Sequence, residues 1–127
     1  MRLLLMNFLL MALVGCTTIA EGGEGFKNIS AADAKKMLNQ SDILWMDVRT
    51  PGEIEQGKID GATVFVDFNG GTFEKTIETL DKTKTYVVYC RSGGRSSSAA
   101  ERMTQKGFKS VYNLTGGISA WDGPISR

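Results

Sequence analysis

The segment TYVVYCRSGGRSSSAAERMTQKG, Thr85–Gly107, constrains the fold more than any other part of the chain. Five strand-forming residues run without a break into a cysteine and a Gly-Gly turn, and a helical pattern follows. This predicts a central strand over 85–89 and a helix over 96–107, with Lys106 in its last turn and Gly107 at the C-cap position. The same alternation recurs along the chain. Ile43–Val48, Thr63–Phe68 and Ser110–Leu114 read as strands. Ser30 is a predicted N-cap with Asp33 three residues on, and Ala31, Ala34, Met37 and Leu38 fall on one helical side. A short helix is expected around Glu53, another where Phe73, Ile77 and Leu80 recur at helical spacing, and a last one from GGISAW. Strands alternating with helices argue for an α/β fold: one domain, a central, mostly parallel sheet and helices on both faces. Ligands of such sheets bind at the carboxyl ends of the strands, where Cys90 stands.

Composition narrows the chemistry. The chain has 127 residues, 42% hydrophobic and 23% charged, which suits one folded domain. Its net charge is +1 with no basic stripe, so nucleic-acid binding has no electrostatic support. It contains no histidine. That removes histidine-ligated zinc, Ser-His-Asp and Cys-His pairs, and an imidazole base. No metal site and no cofactor is expected. Chemistry falls to cysteine, carboxylates, arginine, lysine or the backbone.

The first residues carry a different signal. Arg2 precedes LLLMNFLLMALVG, an apolar run of about a dozen residues, the length of a signal-peptide core and too short to span a bilayer as a helix. It ends in LVGC, Leu13–Cys16, which resembles the lipobox of bacterial lipoproteins. That resemblance implies a signal peptide over 1–15 and acylation of Cys16. It also implies a lipidated tether over 16–25, a domain over 26–127, and a membrane-anchored place in the cell envelope, on the periplasmic or extracytoplasmic face. The alternative is an ordinary secretory signal in which Cys16 is incidental. Without residues 1–15 the chain holds 14 basic and 14 acidic residues. With Cys16 capped by lipid, Cys90 is the remaining thiol, and no disulfide within the chain is possible.

The loop CRSGGR can be read on its own physics. Gly93 and Gly94 permit a sharp turn, and successive N–H groups, joined by those of the following helix, can face inward. Such a nest favours negative charge, so a sulfur at its first position is expected to ionise below the ordinary thiol range and to be reachable from solvent. Arg91 and Arg95 add permanent positive charge. The candidate site is therefore Cys90 as nucleophile, with Arg91, Ser92, Gly93, Gly94, Arg95 and Ser96 holding an anion. The other reading makes Cys90 a small buried hydrophobe, the arginines surface charges and the glycines a plain turn.

Three stretches carry a family resemblance. WMDVRTPGEIEQGKIDGA, YCRSGGRS and AAERMTQKGFKSVYNLTGGISAW together resemble the rhodanese family, single-domain thiosulfate sulfurtransferases, over about residues 26–122. The resemblance implies that the Cys90 thiolate takes the outer sulfur of thiosulfate, releases sulfite, and passes the sulfur to cyanide, a thiol or a partner protein. It also implies that backbone N–H groups from Arg91 to Ser96 hold the persulfide and that the two arginines orient the dianion. Apart from the resemblance, the chain is expected to be a monomer. Asp47, Arg49 and Glu53 read as a structural charge network beneath the loop, and Gly116, Gly117 and Trp121 as packing and turn residues bordering the pocket. Many members have histidine where Lys58 stands. Three other functions compete: a tethered persulfide carrier without steady-state turnover, an oxidant sensor, and a cysteine-dependent phosphatase or arsenate reductase. Those phosphatases place five residues between Cys and Arg, whereas four separate Cys90 from Arg95.

Overall fold

The computed structural model describes residues 25–127. Cys16 and the signal and tether expected over 1–24 lie outside the described residues.

In chain order the elements are β1 (Lys27–Ile29), α1 (Ala31–Lys35), β2 (Ile43–Asp47), α2 (Pro51–Glu55), β3 (Lys58–Ile59), β4 (Ala62–Phe65), α3 (Phe73–Ile77), β5 (Thr85–Tyr89), α4 (Gly94–Gln105), β6 (Ser110–Leu114), a 3-10 turn (Ile118–Ala120) and β7 (Ile125–Ser126). Five strands form one parallel sheet in the order β1-β6-β5-β2-β4, with β5 at its centre as expected. β3 and β7 make a separate antiparallel pair.

Local chemistry sets the element ends. Ser30 caps α1 by accepting a hydrogen bond from Asp33 N–H at 3.2 Å. Thr50 and Glu53 form a reciprocal capping box that starts α2, with Pro51 in its first turn. The far end of α4 closes with Gly107 at φ +94°. There Phe108 N–H reaches Met103 O and Gly107 N–H reaches Thr104 O, both at 3.1 Å, so the final carbonyls are satisfied.

The strand period of two divides the core. Tyr86, Val88 and Cys90 face one side of the sheet and pack with Phe73, Ile77, Ala99, Ala100 and Met103 from α3 and α4. Val87 and Tyr89 face the other, with Ala34 of α1, Trp45, Leu114 and Trp121. Trp45 and Trp121 meet edge to face with centroids 5.4 Å apart.

The topology fixes where a ligand can sit. From β2 the chain moves outward to β4, and from β5 it moves the opposite way to β6. The carboxyl ends of β2 and β5 therefore flank a switch point, where connections diverge and leave a crevice. Arg49 and α2 follow β2 there, while Cys90 and α4 follow β5.

Candidate active site

Cys90 stands between β5 and α4 with its sulfur beneath the first turn of the helix. The turn is made by Gly93, the N-cap of α4, at φ +114° and ψ −13°. An L side chain rarely adopts that conformation, and it directs Gly93 N–H onto Cys90 Sγ at 3.1 Å. Ser96 Oγ lies 3.3 Å from the sulfur, and the N–H groups of Ser92 and Ser96 add to the field that lowers the thiol.

The carbonyls are drawn the other way. Ile118 N–H bonds Cys90 O at 2.9 Å and Ser119 N–H bonds Arg91 O at 3.0 Å. The 3-10 turn thus ties down the acceptors of the loop while its donors converge on sulfur. Gly117 makes this approach possible, because a Cβ there would fall 2.5 Å from both carbonyl oxygens. Gly116 and Gly117, expected as turn residues, hold the turn at φ +77° and +56°, and Trp121, expected to pack there, meets Trp45.

Burial pushes the Cys90 thiol up. The Ser96 hydroxyl, when its proton points at the sulfur, and the N–H groups of Ser96, Gly93 and Ser92 outweigh it, and the thiol then lies below its ordinary range. The direction is the one expected, but its source is the amide cradle and one hydroxyl rather than the guanidiniums.

Four details correct the reading of the loop. Cys90 is only 1% exposed, so the sulfur is covered and not open to solvent. What solvent meets is the rim, Arg91 and Ser92. Gly94 is not needed for the turn: its φ is not left-handed, and a Cβ there would meet nothing within 4 Å. The helix begins at Gly94 rather than Ser96, because Gly93 supplies the cap. Arg95, inside the helix, turns to Glu53 in a bidentate pair at 2.7 and 2.9 Å, so its charge is matched.

Beneath the loop the expected charge network exists with its partners divided. Arg49 binds the fully buried Asp47 carboxylate through Nη2 at 2.7 Å and Nε at 3.0 Å. It also donates to Gly57 O at 2.8 Å and Glu53 O at 3.4 Å. It therefore holds the backbone of α2, and the Glu53 side chain is left for Arg95. Lys58 lies over the Phe65 ring at 5.9 Å, away from the loop.

The Arg95 hydrogen bond is the chief cause that holds the Glu53 carboxyl down at about 2, against an ordinary 4.5. A depressed carboxyl stabilises the fold fully above the ordinary value, and that stability is lost as pH falls through the folded one. Stability is thus expected to drop between pH 4.5 and about 2. Glu53→Gln should flatten that drop and cost about 1 kcal/mol at neutral pH, allowing for solvent screening. Denaturant unfolding across pH checks both.

Beside the loop lies a cleft of about 480 Å³, lined by Arg91, Arg49, Ile118, Ser119, Trp121 and Ile125 among others. Cys90 is not in its lining, but Arg91 links cleft and cradle. Sequence reasoning missed Asn113, a buried amide on β6 that accepts from Ser96 Oγ at 2.6 Å. Its signal was an amide side chain placed between Tyr112 and Leu114 in the strand SVYNL.

Comparison with known proteins agrees with this fold. A family model described as a rhodanese-like domain matches residues 30–123. The chain is 40% identical to YtwF of Bacillus subtilis over 98 residues, covering 76% of this chain and 91% of that protein. It is 30% identical over 104 residues to the thiosulfate sulfurtransferase GlpE of Pseudoalteromonas translucida, covering 80% and 94%. Among solved structures, a rhodanese-related protein from Thermoplasma volcanium superposes with a TM-score of 0.69 at 29% identity, covering 80% of this chain and 98% of that one. A Rhodopseudomonas palustris protein of unknown function, described as a possible tyrosine phosphatase, gives 0.67 at 34% identity, covering 80% and 85%.

Proposed function

Since the chain belongs to the rhodanese-like domain family, we propose that it is a sulfurtransferase that takes the outer sulfur of thiosulfate, or of a related persulfide donor, onto Cys90 and gives it to a thiophilic acceptor. The observation that carries this reading is the convergence of loop and helix N–H donors on one sulfur.

The Cys90 thiolate attacks the outer sulfur of thiosulfate. A new S–S bond forms, the old one breaks, and sulfite leaves with its electron pair. Three negative charges meet in that step and three remain after it, shared between the persulfide and sulfite. The N–H groups of the cradle and the rim charge of Arg91 offset their repulsion once the donor is seated. Cyanide, a thiolate or a protein thiol then attacks the terminal sulfur and returns Cys90 to its thiolate. With Cys90 covered, the donor sulfur enters only as the loop yields. That favours a group the size of one sulfur atom over a phosphoryl group. The phosphatase reading also lacks its arginine, because Glu53 occupies Arg95.

Steady-state turnover of thiosulfate with cyanide tests the proposal. Thiocyanate formation supports an enzyme. A stable persulfide released only to a specific protein marks the carrier instead, and no sulfur uptake at all refutes both. Arg91→Ala should raise KM for thiosulfate about tenfold, about 1.4 kcal/mol of binding, and change stability by less than about 0.5 kcal/mol. An unchanged KM would make the rim charge irrelevant. The same proposal places the domain at a membrane of the bacterial cell envelope through acylated Cys16; intact mass of the purified protein, with cleavage anywhere but before Cys16, would refute the anchor.

A further inference from the structure

The cradle extends inward through a chain of side chains that the proposed reaction does not use. Ser96 is fully buried, and its Oγ faces three acceptors: Asn113 Oδ1 at 2.6 Å, Gly93 O at 3.2 Å and Cys90 Sγ at 3.3 Å. A hydroxyl has one proton to donate, so only one of the three is served at a time. Asn113 is 5% exposed, and its Nδ2 donates to Asn28 Oδ1 at 3.0 Å. Sheet register sets these residues in a row, with Asn28 on β1 beside Asn113 on β6, and Asn113 beside Val88 on β5, two residues before the nucleophile.

We propose that Asn113 is a positioning residue for the Cys90 nucleophile, deciding through the orientation of its amide whether the Ser96 proton points at the amide or at sulfur. In the arrangement described, Asn113 Oδ1 takes the Ser96 proton and the sulfur keeps only its backbone donors as full partners. Turning the amide over exchanges its two ends. Nδ2 then donates to Ser96 Oγ, the hydroxyl proton moves to sulfur, and Oδ1 accepts from Asn28 once that exposed amide turns as well. Both arrangements satisfy every member of the row, and they differ in how much negative charge the sulfur can bear. A neutral thiol is a weak acceptor, while a thiolate or persulfide is a strong one. The first arrangement belongs with the thiol and the second with the charged sulfur. The proposal rests on the reading that Cys90 works as a thiolate.

The groups that charge the surroundings lie on the other side. They are Arg91 on the loop, Arg95 of α4 paired with Glu53 of α2, and Asp67, which acts on Arg95. β6 and β1 present neutral amides to the row, so a response there reports the hydroxyl and not a second titration.

The test follows the side-chain amide resonances of Asn113 and Asn28 in the full chain while pH is varied. Cys90 ionisation is read in parallel from thiolate ultraviolet absorbance, taken as the difference from Cys90→Ser. The expected result is that the Asn113 amide signals shift with the midpoint of the Cys90 thiol and stop doing so in Ser96→Ala. Asn113→Asp, an acceptor that holds the Ser96 proton permanently, should raise the thiol midpoint by about one pH unit or more. In a Ser96→Ala background the same change should raise it less than half as far. Amide signals that ignore the thiol titration, or equal shifts in both backgrounds, would overturn the proposal and leave Asn113 a structural residue. Should Asn113→Asp not fold, Asn28→Ala at its exposed position should uncouple the Asn113 amide from the titration, and unchanged coupling would count against it. A thiolate that forms normally but accepts no sulfur from thiosulfate would instead refute the sulfurtransferase reading alone.

Discussion

Cys90→Ser is expected to abolish sulfur transfer, by about ten-thousandfold or more, while the fold stays intact. The substitution removes the chemistry and almost nothing else. Serine has nearly the shape of cysteine and can donate or accept within the same ring of Gly93, Ser92 and Ser96 donors. Its hydroxyl ionises far above the thiol, so a cradle that lowers a thiol modestly cannot make an alkoxide. Oxygen also cannot carry a transferable sulfane sulfur. Thermal unfolding should change by about 1 kcal/mol or less, and thiocyanate formation should fall to background. An active serine variant would place the reaction elsewhere.

Gly117→Ala is expected to have the second largest effect, in stability and activity together. Gly117 holds φ +56° and ψ −156°, a conformation that glycine alone adopts without strain. The new methyl would lie 2.5 Å from the Cys90 and Arg91 carbonyl oxygens, both backbone atoms already bonded to Ile118 and Ser119. Neither side can yield without rotating a peptide of the active loop. Strain of about 1–3 kcal/mol and a similar overlap cost combine to a destabilisation of about 2–6 kcal/mol. If the loop peptides rotate, the N–H groups leave the sulfur. kcat/KM should then fall about a hundredfold and the thiol midpoint should rise toward its ordinary value. Urea unfolding and a thiol titration check this. A stable, fully active variant would mean that the 3-10 turn does not hold the cradle.

Much of the fold was legible because its signals are local. TYVVY could hardly be other than a central strand, and Gly107 closes α4 where a left-handed residue is required. The strands that escaped notice are those whose pairing is decided at a distance. Lys27–Ile29 has three residues and no alternation, and it becomes a strand only because β6 lies beside it. Lys58–Ile59 and Ile125–Ser126 have two each and depend on one another across the chain. The site divides the same way. Cys90 and Gly93 could be placed from a strand, a turn and a helix start in sequence. The partner of Arg95 could not, because Glu53 lies 42 positions away and reaches it through the fold. Nor could the covering of the sulfur, which depends on how tightly the loop, Ser96 and the turn after β6 close together.

The central claim is that the cradle makes Cys90 a nucleophile toward sulfane sulfur. Incubating the full chain with thiosulfate and measuring its intact mass tests this most directly. The account predicts a gain of one sulfur atom, absent from Cys90→Ser and removed when cyanide is added. An unchanged mass in the native chain, or the same gain in the serine variant, would contradict it.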